Sequence, residues 1–591
     1  MFPFDVLYTL FDALTDPIQR PLLLRALGSI WLGWALYGLT FTGVGLWVRR
    51  IFGAAPATAF DLLTAFWVGW AAYVGILQLW HFAAPIAPLI GWLLFALGMT
   101  GIVFHARTLW PILRAATSRY PLVWGLFALA AVLFGNSAMG APSIADFALY
   151  HQQVILWNLE SPIVAGLGNL HGRFAFNNSS FLYAALVDVW PLTGVGNHIA
   201  ASLHIMALLA LGLWGLARVI QRELLPETLF AALILPIVAW AATQNEYLRT
   251  PDSDLIPIVL APVMGVMLLR LLGKRAPHPQ AETLLMVALA CGGVVSKLSF
   301  AAYGGLAILL ALWASRGLTR WRWAVGVAFG GVIIGAWLVR GVILSGYPLY
   351  PSTLIAFPVD WRVACEAANA EAAWVYSWAR NPGQPYQDVL GNWRWFPAWV
   401  TRVLRRDFEV FTPLLLAGLA LALGIFWRRG MINGAAHRPP PTNAVILYLI
   451  APIGALIFWF VTAPDVRFAG SLFWMLANGL LALVLTDVAC TSPQAVRAGV
   501  IVLALVLTYD RRIEFDAYPP APETGFYSAP MPELEARTTN SGLTVYIPTD
   551  NQSCYRAELP CTPHYDENLS LRVTGELSGG FRVENTPLEC R

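Results

Sequence analysis

The stretch "LIPIVLAPVMGVMLLRLL" (255–272) decides what kind of molecule this is, because it offers no polar side chain until Arg270 near its end. A helix rises ~1.5 Å per residue, so a run of this length crosses most of a ~30 Å hydrocarbon layer. In lipid every backbone N–H and C=O must be bonded within the segment, which makes the run a helix. Directly before it stands the polar string "QNEYLRTPDSD" (244–254). Working outward, the same criterion gives about fourteen spans. They fall near 24–47, 59–81, 85–104, 121–138, 197–217, 227–243, 255–272, 282–296, 298–314, 323–343, 409–427, 443–461, 468–487 and 498–509. The stretch "FLYAALVDVWPL" (181–192) is too short to cross, carries Asp188, and is read as part of a loop.

Composition agrees. The 591 residues are 58% hydrophobic, only 12% charged, and include 26 Trp; mean hydropathy is +0.61. These values exclude a soluble protein. Basic residues are scattered over many short connections, so no nucleic acid is expected as a partner. The opening segment carries Asp5, Asp12 and Asp16 with no basic leader, and does not read as a cleaved signal. The expected fold is an all-α polytopic membrane protein of about 13–14 transmembrane helices.

Orientation follows from Lys and Arg. With the N-terminus outside, the inner connections carry Arg49 and Arg50; Arg107, Arg114 and Arg119; Arg218 and Arg222; Lys274 and Arg275; Arg316, Arg320 and Arg322; Arg428, Arg429 and Arg438; and Arg497. The short outer connections offer only Arg249 and Arg467. Positive charge gathers inside, as expected for a multi-pass protein of a bacterial cytoplasmic membrane. Both termini and the polar clusters then lie on the extracytoplasmic side: "SIADFALYHQQ" (143–153), "GLGNLHGRFAFNNSS" (166–180), 244–254, the surroundings of Lys297, "GYPLYPS" (346–352), "APDVRFAG" (463–470) and the tail after about residue 510. Segments so far apart in sequence reaching one face point to a single assembled site.

Each residue also has a structural reading. Asp146 follows Ser143 at capping-box spacing. His151 fits an interfacial ring, and the glycines and asparagines of 166–178, Asn177 among them, fit turns. Asp252 or Asp254 fits the N-cap of the following span. Lys297 can snorkel to the interface, and Asp465 can pair with Arg467. Paired metal ligands, a P-loop, a Rossmann fingerprint and a nucleophile elbow are all missing from the sequence. No cofactor is expected, and a divalent metal lacks a paired acidic motif. Isolated carboxylates among Arg, Lys, His and Tyr suit deprotonation of an acceptor hydroxyl while cations hold a phosphate leaving group.

The run "ADFALYHQQVILWNLESPIVAGLGNLHGRFAFNNSSF" (145–181) resembles the signature loop of a family of uncharacterised polytopic bacterial membrane proteins. Its marks are an Asp-x-x-Leu-Tyr-His opening and a Gly-Leu-Gly-Asn-Leu-His-Gly-Arg core. The resemblance continues in "SGYPLYPS" (345–352), "PVDW" (358–361), "APDVRFAG" (463–470) and "CYRAELPCTPHYDENLSLR" (554–572). The architecture is similar to the GT-C superfamily of lipid-dependent glycosyltransferases. That likeness implies extra N-terminal helices over 1–120, a GT-C-like core over 121–509 with outer loops 139–196 and 344–408, and an extracytoplasmic segment over 510–591. It implies membrane lipids and a lipid-linked, polyprenyl-phosphate-type sugar donor as partners, with a glycan or protein acceptor. It also implies Asp146 as the base toward that acceptor, with Asp252 and Asp254 as competitors. Arg173, His171, Arg249 or Lys297 would hold the donor phosphate; Tyr347 and Tyr350, with Trp361, would stack on sugar faces or line the loop's edge. His151, Asn177, Asp465 and Arg467 complete the expected site. Two other classes stay open: a non-catalytic assembly subunit of the same frame, and a transporter or flippase of lipid-linked glycans.

Cysteine placement fits an oxidising side. Cys554 and Cys561 invite a bridge, Cys365 and Cys590 also lie outside, and Cys291 and Cys490 read as free thiols. The tail reads as a linker and a small polar lid with β-like runs such as "GLTVYIPT" (542–549).

Overall fold

The computed structural model describes residues 3–243, 245–432, 443–508, 517–549 and 553–583. Among them, twelve helices are long and apolar enough to cross a membrane. The two further expected spans are also helices but shorter, Ala301–Ala314 after a turn at Leu298–Phe300, and Pro493–Thr508. The chain is a multi-pass membrane protein. Two helices outrun their apolar stretch: Gln19–Phe52 has 34 residues and Pro88–Arg119 has 32. Their ends run on through residues such as Arg, Leu and Ala, good helix formers; Arg20, Arg25, Arg107, Arg114 and Arg119 are exposed, while Arg49 is buried. The segment after Asn178 is not a loop but the buried ten-residue helix Ser180–Val189, too short to span.

The first helices pack at glycine contacts. A side chain on Gly43 would run into the backbone of Gly98, and one on Gly69 into the Phe41 carbonyl, so these helices touch backbone to backbone. Small residues permit such crossings in lipid, where apolar burial gives no drive of its own. Tyr37 joins this part to the rest: its hydroxyl donates to the Trp190 carbonyl at 2.7 Å, and its ring meets Tyr183 and Trp190 edge-on.

Helix Ala59–His81 defines the two ends of the bundle, being 23 residues or ~34 Å long. At its start Asp61 takes Arg49 at 2.7 Å, with Glu282 3.8 Å from the same guanidinium. At its finish the His81 ring bonds the Ser161 carbonyl through Nε2 and Arg340 through Nδ1. This second end carries the long loops 139–196 and 344–408 and is called the loop end below.

The tail packs onto that end. It forms two antiparallel hairpin-like pairs, Leu534–Thr538 with Thr544–Pro548 and Leu569–Leu571 with Phe581–Val583. The expected β character of 542–549 is present in the second of these strands. Phe581 N–H donates to Ala165, Tyr555 N–H to Ala148, and Arg556 pairs with Asp188 at 2.5 Å. Cys554 and Cys561 are bridged, Cys365 is also disulfide-bonded, and Cys291 and Cys490 are free. Cys590 lies outside the described residues.

Candidate functional site

One π-helical turn, Phe147–His151, interrupts the start of helix Gln152–Glu160 and places Asp146 at its head. Wide turns of this kind change the angle at which side chains leave a helix and recur at functional sites. Asp146 makes no cap bond. Its carboxylate instead takes Arg173 Nη1 on Oδ1 at 3.2 Å and Arg467 Nη1 on Oδ2 at 3.0 Å. Arg467 is positioned by Asp465, whose Oδ1 accepts the Arg467 N–H at 3.0 Å and lies 3.6 Å from its Nε. The expected Asp465–Arg467 pair therefore exists and feeds Asp146 as well.

A second pair sits beside the first. Lys297 reaches Asp254 at 2.5 Å rather than snorkelling to an interface, and its ammonium lies over the Phe468 ring. Ser253, between the two aspartates, receives Asn178 Nδ2 at 3.1 Å and Lys297 Nζ at 3.4 Å. Asp252 turns back to accept the Asp254 N–H at 2.9 Å, the local bond of an Asx-turn, and Asp254 makes no side-chain cap.

The two pairs share one electrostatic environment. Burial pushes the Asp252 carboxyl up to about 7; Asp254 adds to this, Lys297 opposes it, and Asp146 is near enough to contribute. Burial also raises Asp146, but His151, Arg467 and Arg173 outweigh it and hold the group below the usual carboxylate range. Burial lowers His151 to about 4 despite Asp146, so the imidazole is neutral at pH 7 and the two guanidiniums do the holding. Against burial, Asp254, Asp146 and Asp465 hold Arg467 firmly protonated. Two neighbouring carboxyls with proton affinities pushed apart can act as an acid–base group and an electrostatic anchor. No three His, Cys, Asp or Glu of the described residues come together as a metal-binding group.

The structure thus brings Asp146, His151, Arg173, Asp252, Asp254, Lys297, Asp465 and Arg467 together. Five expected residues lie elsewhere. Asn177, in a left-handed conformation with φ 56°, faces inward. Its side chain bonds the Trp337 carbonyl at 2.7 Å and takes Arg340 Nε at 3.2 Å. His171 caps the turn Gly172–Phe176 by accepting the Arg173 N–H, and stacks on Phe174. Arg249 donates to the Tyr518 hydroxyl of the tail. Tyr347 is buried with its hydroxyl on the Val363 carbonyl at 2.9 Å. Tyr350 is buried beneath Gly172. Sequence reasoning missed Tyr150, whose ring lies 5.7 Å from the Arg173 guanidinium, and Glu371, 3.4 Å from Arg173 Nε. Tyr150 was open to notice inside the Leu-Tyr-His string. Glu371, in "CEAANAEAAWVYSWAR", carries no local signal.

A helical multi-pass membrane protein with a charged cluster at its loop end is the class that fold and site define. The chain belongs to the family defined by a domain of unknown function, DUF8201, whose profile matches residues 29–474. No curated protein and no solved structure matches it.

Proposed function

We propose that this protein is a membrane glycosyltransferase, with a GT-C-like frame, that moves a sugar from a polyprenyl-phosphate-type donor to an acceptor hydroxyl at the extracytoplasmic face of a bacterial cytoplasmic membrane. The observation that carries this reading is the convergence of Asp252, with a proton affinity near neutrality, on the Asp146–Arg173–Arg467 group and Lys297. A base works best with a pKa near the working pH. Asp146, with both oxygens held by guanidiniums, is poorly suited to take a proton; Asp252 is well suited.

In the proposed reaction Asp252 takes the acceptor proton as the acceptor oxygen bonds to the anomeric carbon. The bond from that carbon to the phosphate oxygen breaks, and its electron pair leaves with the lipid phosphate. Charge builds on that oxygen, and arginines stabilise it through directed, charge-assisted bonds. In this reading the loop end lies at headgroup level, where a lipid-borne phosphate would arrive; the Lys and Arg asymmetry of the connections supports placing that end outside.

The test uses purified protein in lipid vesicles with a panel of polyprenyl-phosphate and polyprenyl-pyrophosphate sugars, beside Asp252→Asn and Asp146→Asn. Donor consumption by the wild type, lost in Asp252→Asn, is the expected result. No consumption of any donor by folded protein would sink the reading and favour an assembly subunit or a transporter.

A further inference from the structure

The helix Cys365–Arg380, in the long loop 344–408, is fastened to the site at two places. Near its middle Glu371 pairs with Arg173. At its end the Ala379 and Arg380 carbonyls accept from Arg402 Nη2 at 2.7 and 3.3 Å. Arg402 in turn pairs with Asp465 at 3.3 Å. The contacts close a ring: Glu371, Arg173, Asp146, Arg467, Asp465, Arg402 and back to the helix. Three carboxylates face three guanidiniums in it, so the ring is balanced, and an arriving phosphate finds no spare cation among its members. It must displace a carboxylate.

The weakest member is Glu371. Asp146 and Asp465 each engage two arginines. Glu371 engages one, at 3.4 Å, and its buried Oε1 receives no hydrogen bond. A buried carboxylate oxygen without a donor loses its hydration for little return. The approach is also tight: a side chain on Gly172 would come within 2.8 Å of the Tyr350 hydroxyl and 3.6 Å of Glu371 Oε2. The helix therefore sits directly over the Arg173 turn.

We propose that Arg173 is an anion site for the phosphate of a lipid-linked donor, held shut by Glu371, and that a phosphate taking this guanidinium releases the Glu371 fastening of the helix Cys365–Arg380, whose end stays held by Arg402. The inference rests on the transferase reading for the identity of its ligand, while the exchange of one anion for another is tested without any turnover.

The protein in lipid nanodiscs is titrated with inorganic phosphate, and amide hydrogen exchange across 365–380 is followed by mass spectrometry. In the wild type phosphate is expected to bind and to speed exchange of that helix by roughly tenfold, the loss of about one charge-assisted contact. Glu371→Gln is expected to exchange fast without phosphate and to bind phosphate roughly tenfold more tightly. Arg173→Gln is expected not to respond. Wild-type protein that binds no phosphate, or binds it with unchanged or slower exchange in the helix, overturns the proposal; so does Glu371→Gln binding no more tightly. Helix release without sugar transfer to any acceptor would leave this inference standing and sink the transferase reading. Turnover without helix release would do the reverse.

Discussion

Asp146 and Arg467 stand 321 positions apart in the chain and 3.0 Å apart in space, joined by a charge-assisted hydrogen bond. The contact ties the π-helical turn that follows the fourth membrane-length helix, Pro121–Ala138, to the short helix Val466–Ala469 near the C-terminal limit of the family match. Both side chains are partly exposed, so the bond's worth is modest. A double-mutant cycle of Asp146→Asn and Arg467→Gln is expected to show a coupling of about 0.5–1 kcal/mol in thermal-shift measurements in detergent. A coupling of zero would mean that the two charges are solvated independently.

Activity should titrate with Asp252. The group must be ionised to accept a proton, and burial pushes it up to about 7. Turnover is expected to rise with one-proton dependence through about pH 7 and level off above it, and Asp252→Asn should lose at least ~100-fold. A profile already flat from mildly acidic pH would point to Asp146, which is held ionised far lower.

Stability should move the other way. Asp252 binds its proton more tightly in the fold than at its ordinary 3.8, so the contribution is present in acid and drains away as pH rises toward about 7. Thermal midpoints of the wild type are expected to fall over that window, and those of Asp252→Asn to fall less. Equal slopes would show that the carboxyl is not buried as described.

Asn177 is expected to be more costly to replace than any member of the charged cluster. Its amide serves Trp337 and Arg340, and its backbone is left-handed. Asn177→Ala abandons a buried guanidinium and carbonyl and strains the turn, costing about 2–4 kcal/mol. Asn177→Gly loses the same bonds without the strain and should recover about 1 kcal/mol. If both variants melt like the wild type, water replaces the amide at no cost.

The glycine crossings of the first helices admit no relief, because the atoms in the way are backbone. Gly43→Val and Gly69→Val are each expected to abolish a monodisperse peak in size-exclusion chromatography. Gly38→Val, where a side chain meets nothing within 4 Å, is expected to leave it intact.

The spans were legible because lipid imposes one rule on every backbone group, and a run such as 255–272 has few other uses. Helix ends were less so: hydropathy stops at the first arginines, while the helix Pro88–Arg119 continues through them. The cluster was legible as far as each member sat in a polar string at a span's end, as Asp146, Asp254, Lys297 and Arg467 do. Glu371 and Arg402 were not, since their roles come from the folding back of a long loop. The partners of Asn177 and Arg249 were hidden for the same reason, lying 160 and 269 positions away.

The tail gives the molecule a schedule. Ala148, Ala165 and Asp188 all receive partners from residues 553–583, the last described stretch of the chain. Those partners leave the ribosome after all the described membrane helices have been made. A nascent chain can thus be fully threaded into its membrane while the loop around Asp146 still lacks its outer support. Quality control that monitors insertion alone would pass such a chain; only docking of the tail distinguishes a finished molecule from an inserted one.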